Sequence, residues 1–451
     1  MEEKKTENQP ALEQENTAEC VPAPVLSGEE RQNRIWKIVG CCGLALLLFL
    51  LGMLTQWLLI EPQMRSLIKV KDAIDRDYYQ EISDESFYGA IFDVVNDELL
   101  DEYSRYMTTD EYAALLAENE GKREGIGLVF HTDDDKLCVY RVCGNSPAEK
   151  EGIKVGECVV GFGKTQQTLT QSESFDEFSA FVNGFENDEQ FFIVLRGQDG
   201  ERTLQISKAA YVENYVFYRS KTSAYSFTAE GKVSAQAGGT PLSALQTDTA
   251  YIRLLQFDGN AVEAFDKAME IFREEGKKNL VLDLRGNGGG SLDIMQKISK
   301  YFCKNSTDKN PVVVTADYGE KKTEFRATAN VYGQYFSAES RICVLADGNS
   351  ASATESLIGA MLSYGTIEYG DICLTERGGV AKTYGKGIMQ TSYLLDVMKG
   401  DAVRLTTAKI FWPNGDCIHG KGIVAADGTK KVAASDGSDE ELTAAIAALF
   451  A

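Results

Sequence analysis

From Ile38 to Ile60 the chain reads IVGCCGLALLLFLLGMLTQWLLI, twenty-three residues of which only Thr55 and Gln56 are clearly polar. As a helix this run extends about 35 Å, enough to cross the hydrocarbon core of a bilayer with some tilt. Thirty-seven residues precede it and no small-x-small cleavage site follows Leu58-Leu59-Ile60-Glu61-Pro62. The run therefore reads as a retained anchor rather than a signal peptide. Residues 1–37 are expected to form a disordered cytoplasmic tail, since residues 1–30 are polar and poor in aromatics. Arg31, Arg34 and Lys37 before the run are matched by Arg65, Lys69, Lys71 and Arg76 after it, so flanking charge does not set the orientation. One anchor behind a short tail puts the mass of the chain on the far side of the membrane, and a single-pass, extracytoplasmic protein is the expectation.

The chain beyond the anchor is long enough for two or three modules with sizeable cores. Across the 451 residues, 68 Asp+Glu stand against 46 Lys+Arg, a formal net charge of −22. Such an acidic balance repels phosphate backbones, which argues against nucleic acid as a partner. The two histidines, His131 and His419, are far apart, and the ten cysteines lack the paired spacing of zinc ligands. Three cysteines fall in the first 42 residues, leaving seven downstream, an odd number. No metal site and no disulfide framework are expected.

The hydrophobic period then changes along the chain. Residues 62–118 carry helical spacing (Leu67, Val70, Ile74; Phe87, Ile91, Val94) with a capping box at Thr108-x-x-Glu111, predicting a small helical module. Residues 119–210 hold short strands with turn signals and one short helix at Ser146 to Gly152. A linker-like stretch comes next, at Ser220 to Gly239. Beyond it strand and helix alternate: TAYIRLLQF, VEAFDKAMEIFREEG, NLVLDL, SLDIMQKISKYF, RICVLA, ATESLIGAML. This predicts an α/β layer with partly parallel strands and crossover helices over 211–433, followed by a C-terminal helix in 434–451.

Three loops in that region could carry chemistry. Ser352 stands where a buried strand turns into a helix, and Ser352-x-x-Glu355 fits a capping box; a cap and a nucleophile at a helix amino end are both open. A nucleophilic serine needs a base. His419 is one candidate; Lys386, between two glycines in TYGKGIMQ, is another if burial removes its charge, and it could equally face solvent. The loop Asp283-Leu-Arg-Gly-Asn-Gly-Gly-Gly290 lacks nucleotide-binding spacing, leaving a tight turn or a set of N–H groups facing an anionic centre.

In order, GIGL, SPAEKEGI, DLRGNGGG, NSASATES, TYGKGIMQ and LTTAKIFWPNGDCIHGKGI resemble the C-terminal processing peptidases, or tail-specific proteases, over roughly residues 65–445, with LLDEYSRYMTTDEY included as a helix. The resemblance implies a serine endopeptidase with a crotonase/ClpP-like α/β core, an inserted PDZ domain at 119–210 and no cofactor. It places the nucleophile on Ser352, the base on Lys386 and the lysine-orienting residue on Gln390. It places the oxyanion donors on the N–H groups of Ala353 and Gly290. Gly125, Ile126, Gly127 and Leu128 would form the PDZ loop gripping a substrate carboxylate, so partners would be proteins or peptides with apolar C-termini, and family members often dimerise.

Two departures from the family pattern stand out. The stretch from Ser352 to Lys386 is longer, with Lys382 as a second lysine, and the acidic residue that some members carry after the nucleophile is Ser363 here. A catalytically silent PDZ/crotonase-like scaffold is the alternative reading, and a Ser-His hydrolase using His419 is a third.

Overall fold

The computed structural model describes residues 28–130, 137–171, 174–234, 241–376, 379–395, 399–425, 428–433 and 439–450. His131 and the tail before Gly28 lie outside them. The chain divides into two compact units between Ile91 and Phe92.

In the first unit a helix spans Gly28–Leu59, and its segment Gln32–Gln56 is long and apolar enough to cross a membrane. It starts ten residues before Ile38, so residues 28–37 are not the disordered tail expected of them. Glu, Arg, Gln and Lys in GEERQNRIWK are good helix formers, and nothing in that stretch breaks the helix. Pro62 then opens a second helix, Pro62–Asp77, where its missing N–H costs nothing. Lys71 on that helix is buried with its ammonium 2.5 Å from Asp75 and 2.7 Å from Asp84.

The second unit corrects the expected helical module. LLDEYSRYMTTDEY is not one helix. Arg105–Met107 is a strand paired antiparallel with Ala402–Phe411, in register Arg105↔Arg404 and Met107↔Ala402. Burial of Met107 and the 2.8 Å bond from Tyr106 Oη to Asp401 outweigh the local helical pattern. Helix resumes at Thr109–Asn119, closed by the Thr108/Glu111 capping box.

Residues 128–207 build a six-stranded antiparallel sheet around its own core of Leu137, Val139, Phe162, Phe178, Phe191 and Ile193. Beside the short helix Pro147–Lys150, a second helix, Phe175–Asn183, covers that core; Ser174 caps it and Phe178 and Val182 point inward. Cys138 and Cys158 face each other on neighbouring strands and are disulfide-bonded, against the expectation from the odd cysteine count. Pairing needs two cysteines at one register position, which a count cannot reveal. A two-stranded ribbon, Lys122–Gly125 with Ala209–Val212, joins this sheet to the rest.

The remainder is a mixed α/β fold. Strands Thr249–Leu254, Asn279–Asp283, Ile342–Ala346, Ile372–Glu376 and Lys430–Ala433 lie parallel and adjacent in that order. Helices Ala261–Glu274, Leu292–Ser299 and Ala353–Ser363 lie in the connections. The expected linker contributes to the sheet edge instead: its Ala224–Tyr225 pairs with Val216–Arg219, which pairs in turn with Thr249–Leu254. A second sheet contains Arg105–Met107, Val312–Asp317, Lys322–Arg326, Ile388–Leu394 and Ala402–Phe411. One core joins both sheets through Leu282, Val344, Leu357, Val314 and Trp412. At Gly359 the helix lies so close that an added Cβ would meet the Trp412 indole at 2.1 Å. Helix Asp439–Phe450 covers the first sheet's other face with Leu442, Ala445 and Ile446.

Candidate active site

Ser352 stands at the carboxyl end of the buried strand Ile342–Ala346, where parallel sheets present their loops. Its backbone has φ 58° and ψ −115°, a left-handed conformation rare outside glycine. Neighbours hold it there. The Ala351 N–H donates to Asn287 O at 3.0 Å, Thr354 Oγ1 donates to the same oxygen at 2.9 Å, and Glu355 accepts the Ser352 N–H at 3.1 Å.

The glycine loop lies against this turn. Asp283, fully buried, accepts bonds from Arg285 (2.6 and 2.9 Å) and Tyr251 Oη (2.6 Å). Burial alone would raise its carboxyl, but the Arg285 and Arg253 charges and the hydrogen bonds from Arg285 and Tyr251 together outweigh that and hold it at about 2. Asn287 Oδ1 takes the Gly289 N–H at 2.9 Å. A Cβ on Gly289 would come within 2.9 Å of Ser352 Cβ, and one on Gly290 within 2.6 Å of Phe257 O, so backbone passes where no side chain fits. Among the described residues, the Gly290 and Ala353 N–H groups donate no hydrogen bond.

Glu355 ties the serine turn to the lysine loop. Fully buried, its carboxylate accepts the N–H of Ser352, the N–H of Lys386 (2.9 Å), the N–H of Gly385 (2.8 Å) and the hydroxyl of Thr383 (2.5 Å). Burial still pushes its pKa upward against those four donors. The expected capping glutamate thus also fixes the base loop, and the long stretch before Lys386 is pinned at its end. Thr383 Oγ1 in turn accepts the Ile423 N–H at 2.8 Å.

The Lys386 ammonium lies 4.4 Å from the centre of the Tyr103 ring and, among the described residues, has no hydrogen-bond or ion-pair partner. Its pKa is lowered, first by burial and then by the Arg404 charge; Asp101 and Glu102 oppose the shift. Gln390, expected to orient Lys386, instead donates to Thr406 Oγ1 at 3.3 Å. A register irregularity between Met389 and Gln390 re-aims this part of the strand.

Ser352, Lys386, Gln390, Gly290 and Ala353 line one cavity of about 730 Å³. Gly125, Ile126, Gly127 and Leu128 do not line it; they turn between the two-stranded ribbon and the six-stranded sheet, with Ile126 buried and the Gly127 carbonyl accepting the Cys143 N–H at 2.9 Å. His419 is exposed, and neither it nor the exposed Lys382 lines the cavity. Ser363 spends its hydroxyl on Gly359 O at 2.6 Å.

Sequence reasoning missed Tyr103, Arg404 and Asp258. Asp258 lines the cavity, is 4% exposed, leaves Oδ1 without a hydrogen-bond partner among the described residues and is raised by burial to about 6. Each comes from an element distant in sequence, and only the aromatic and acidic character of DEYSRY gave a local hint.

Residues 248–426 match the model of peptidase family S41. The "Probable CtpA-like serine protease" of Staphylococcus aureus (strain bovine RF122 / ET3-1) is 29% identical over 364 residues, 80% of this chain and 64% of the relative. The protein of the same name in Staphylococcus epidermidis is 27% identical over 355 residues, 78% of this chain and 63% of the relative. The chain thus spans just under two thirds of these relatives' length. Among solved structures, the photosystem II D1 C-terminal processing protease is similar at 22% identity and TM-score 0.45, over 84% of this chain and 90% of that one.

Proposed function

We infer, from a chain whose residues 248–426 match the model of peptidase family S41, a membrane-anchored serine endopeptidase of the C-terminal processing class working through a Ser352-Lys386 dyad. The observation that carries the reading is one cavity holding Ser352, a lysine driven toward its neutral form, and two N–H groups that have no partner among the described residues. Neutral Lys386 takes the Ser352 Oγ proton as that oxygen attacks the peptide carbonyl carbon. The tetrahedral oxyanion is held by the N–H groups of Gly290 and Ala353 and by the amino end of the helix Ala353–Ser363. Lysine then returns the proton to the leaving amine as the C–N bond breaks. Water, deprotonated by Lys386, hydrolyses the acyl-serine.

The two-sheet α/β fold is read as the crotonase/ClpP-like core, and the six-stranded sheet as a PDZ domain whose Gly125–Leu128 loop takes an apolar C-terminus. The apolar helix and the Cys138–Cys158 disulfide together favour an extracytoplasmic catalytic part, since disulfides persist in oxidising compartments.

One observation favours the silent scaffold: Gln390 donates to Thr406, and among the described residues Lys386 has no hydrogen bond to it. The deciding experiment incubates the full chain in detergent with an unstructured protein ending in apolar residues, beside Ser352→Ala and Lys386→Ala, with products read by mass spectrometry. Cleavage by the parent, with at least a roughly 10⁴-fold loss in each variant, supports the dyad. Cleavage unchanged in both variants refutes it, and PDZ-type binding without turnover by the parent supports the scaffold.

A further inference from the structure

The cavity's unspent charge lies beside the lysine. Arg404 lines it, is half-buried, and among the described residues has neither an ion pair nor a hydrogen bond. It feels the charges of Asp258 and Glu118 without being paired to either. Directly opposite across the antiparallel ladder stands Arg105. Like charges at opposed positions of neighbouring strands destabilise a sheet unless an anion lies between them. The Arg404 guanidinium is pushed below its usual range, first by burial and next by Arg105, against the opposing charges of Asp258 and Glu118.

The reaction fixes which part of a substrate meets this arginine. Lys386 must hand its proton to the leaving amine, so the residues after the scissile bond lie on the lysine side of Ser352. Arg404 is close enough to Lys386 to depress it. A planar guanidinium suits a carboxylate, which it can hold through two parallel hydrogen bonds. Resting on the Ser-Lys reading above, we propose that Arg404, with Arg105 opposite it, is a specificity determinant that takes a substrate carboxylate within a few residues after the scissile bond. That carboxylate is an Asp or Glu side chain or the free chain terminus itself.

Four peptides of one sequence test this on the full chain in detergent: Gln at the variable position with an amidated end, Glu with an amidated end, Lys with an amidated end, and Gln with a free terminus. Turnover by the parent is measured beside binding to Ser352→Ala by fluorescence anisotropy. We expect the Glu or free-terminus peptide, whichever is the natural source, to exceed the amidated Gln peptide about tenfold in both kcat/KM and affinity. Arg404→Glu should reverse the order in favour of Lys. Equal handling of all peptides by the parent, or an equal loss on all of them in Arg404→Glu, would overturn the proposal. If the amidated Gln peptide is cleaved but binding shows no ranking, the carboxylate site falls and the protease reading stands. A ranking in binding without any turnover upholds the site and sinks the protease reading. Arg404→Gln should keep the parent's unfolding midpoint and lose the ranking in binding to the Ser352→Ala background, where its effect on the basicity of Lys386 plays no part, which separates recognition from folding and from base tuning.

Discussion

The serine side and the lysine side of the cavity are built in opposite ways. Ser352, Gly289, Gly290 and Asn287 sit on two loops at the ends of adjacent parallel strands, locked by short backbone bonds and by glycines that no other residue could replace without a clash. Lys386 owes its environment to side chains from elsewhere: Tyr103 from a turn before the first strand of the second sheet, Arg404 from that sheet, and Glu355 from the serine's own helix. The nucleophile is fixed by backbone geometry, whereas the base is tuned by its surroundings. Rigid placement and adjustable basicity can therefore be altered separately, except at Glu355, where they meet.

Breaking that meeting point should have the largest effect. Glu355→Ala leaves four buried donors without an acceptor, and activity should fall by more than about 100-fold with a loss of several kcal/mol in stability, read by kcat and chemical denaturation together. A variant that kept full activity would show that the two sides are not coupled through this carboxylate.

Acid should loosen the serine side first. Asp283 is depressed to about 2 from 3.8, so its contribution is fully present above pH 4 and is lost as pH falls toward 2. The contribution is about 2 kcal/mol. Denaturation curves between pH 5 and 2 should steepen less in Asp283→Asn than in the parent, and identical curves would count against the assignment.

The smallest effect belongs to the lysine side. A lowered lysine becomes neutral at lower pH, so kcat/KM should rise through that pKa from the acid side. Arg404→Gln removes a lowering charge and should move the rise to higher pH, costing about a few-fold in rate at neutral pH and recovering in alkali. Asp101→Asn removes a raising charge and should move it the other way. Shifts in the same direction would contradict the electrostatic account.

The contrast also explains what the sequence made legible. The alternation after Thr249 carried the parallel layer, and the two glycine-flanked loops carried Ser352, Lys386, Gly290 and Ala353, because strand-to-helix turns and glycine requirements are local. Tyr103 and Arg404 were invisible because their partners are set by sheet pairing across about 300 positions. The same non-locality hid the strand Arg105–Met107, which reads as helix until Ala402–Phe411 is beside it. In the six-stranded sheet, Phe175–Asn183 escaped notice because its inward phenylalanines are flanked by turn formers.

The close approach of Gly359 to Trp412 bears on both sides of the cavity. With no side chain on the helix at that point, the thickness of one indole ring is the spacer between the layer that carries the serine and the layer that carries the lysine. Protein interiors compress little and transmit displacement, so the ring at position 412 acts as a gauge block for an attack distance it never touches.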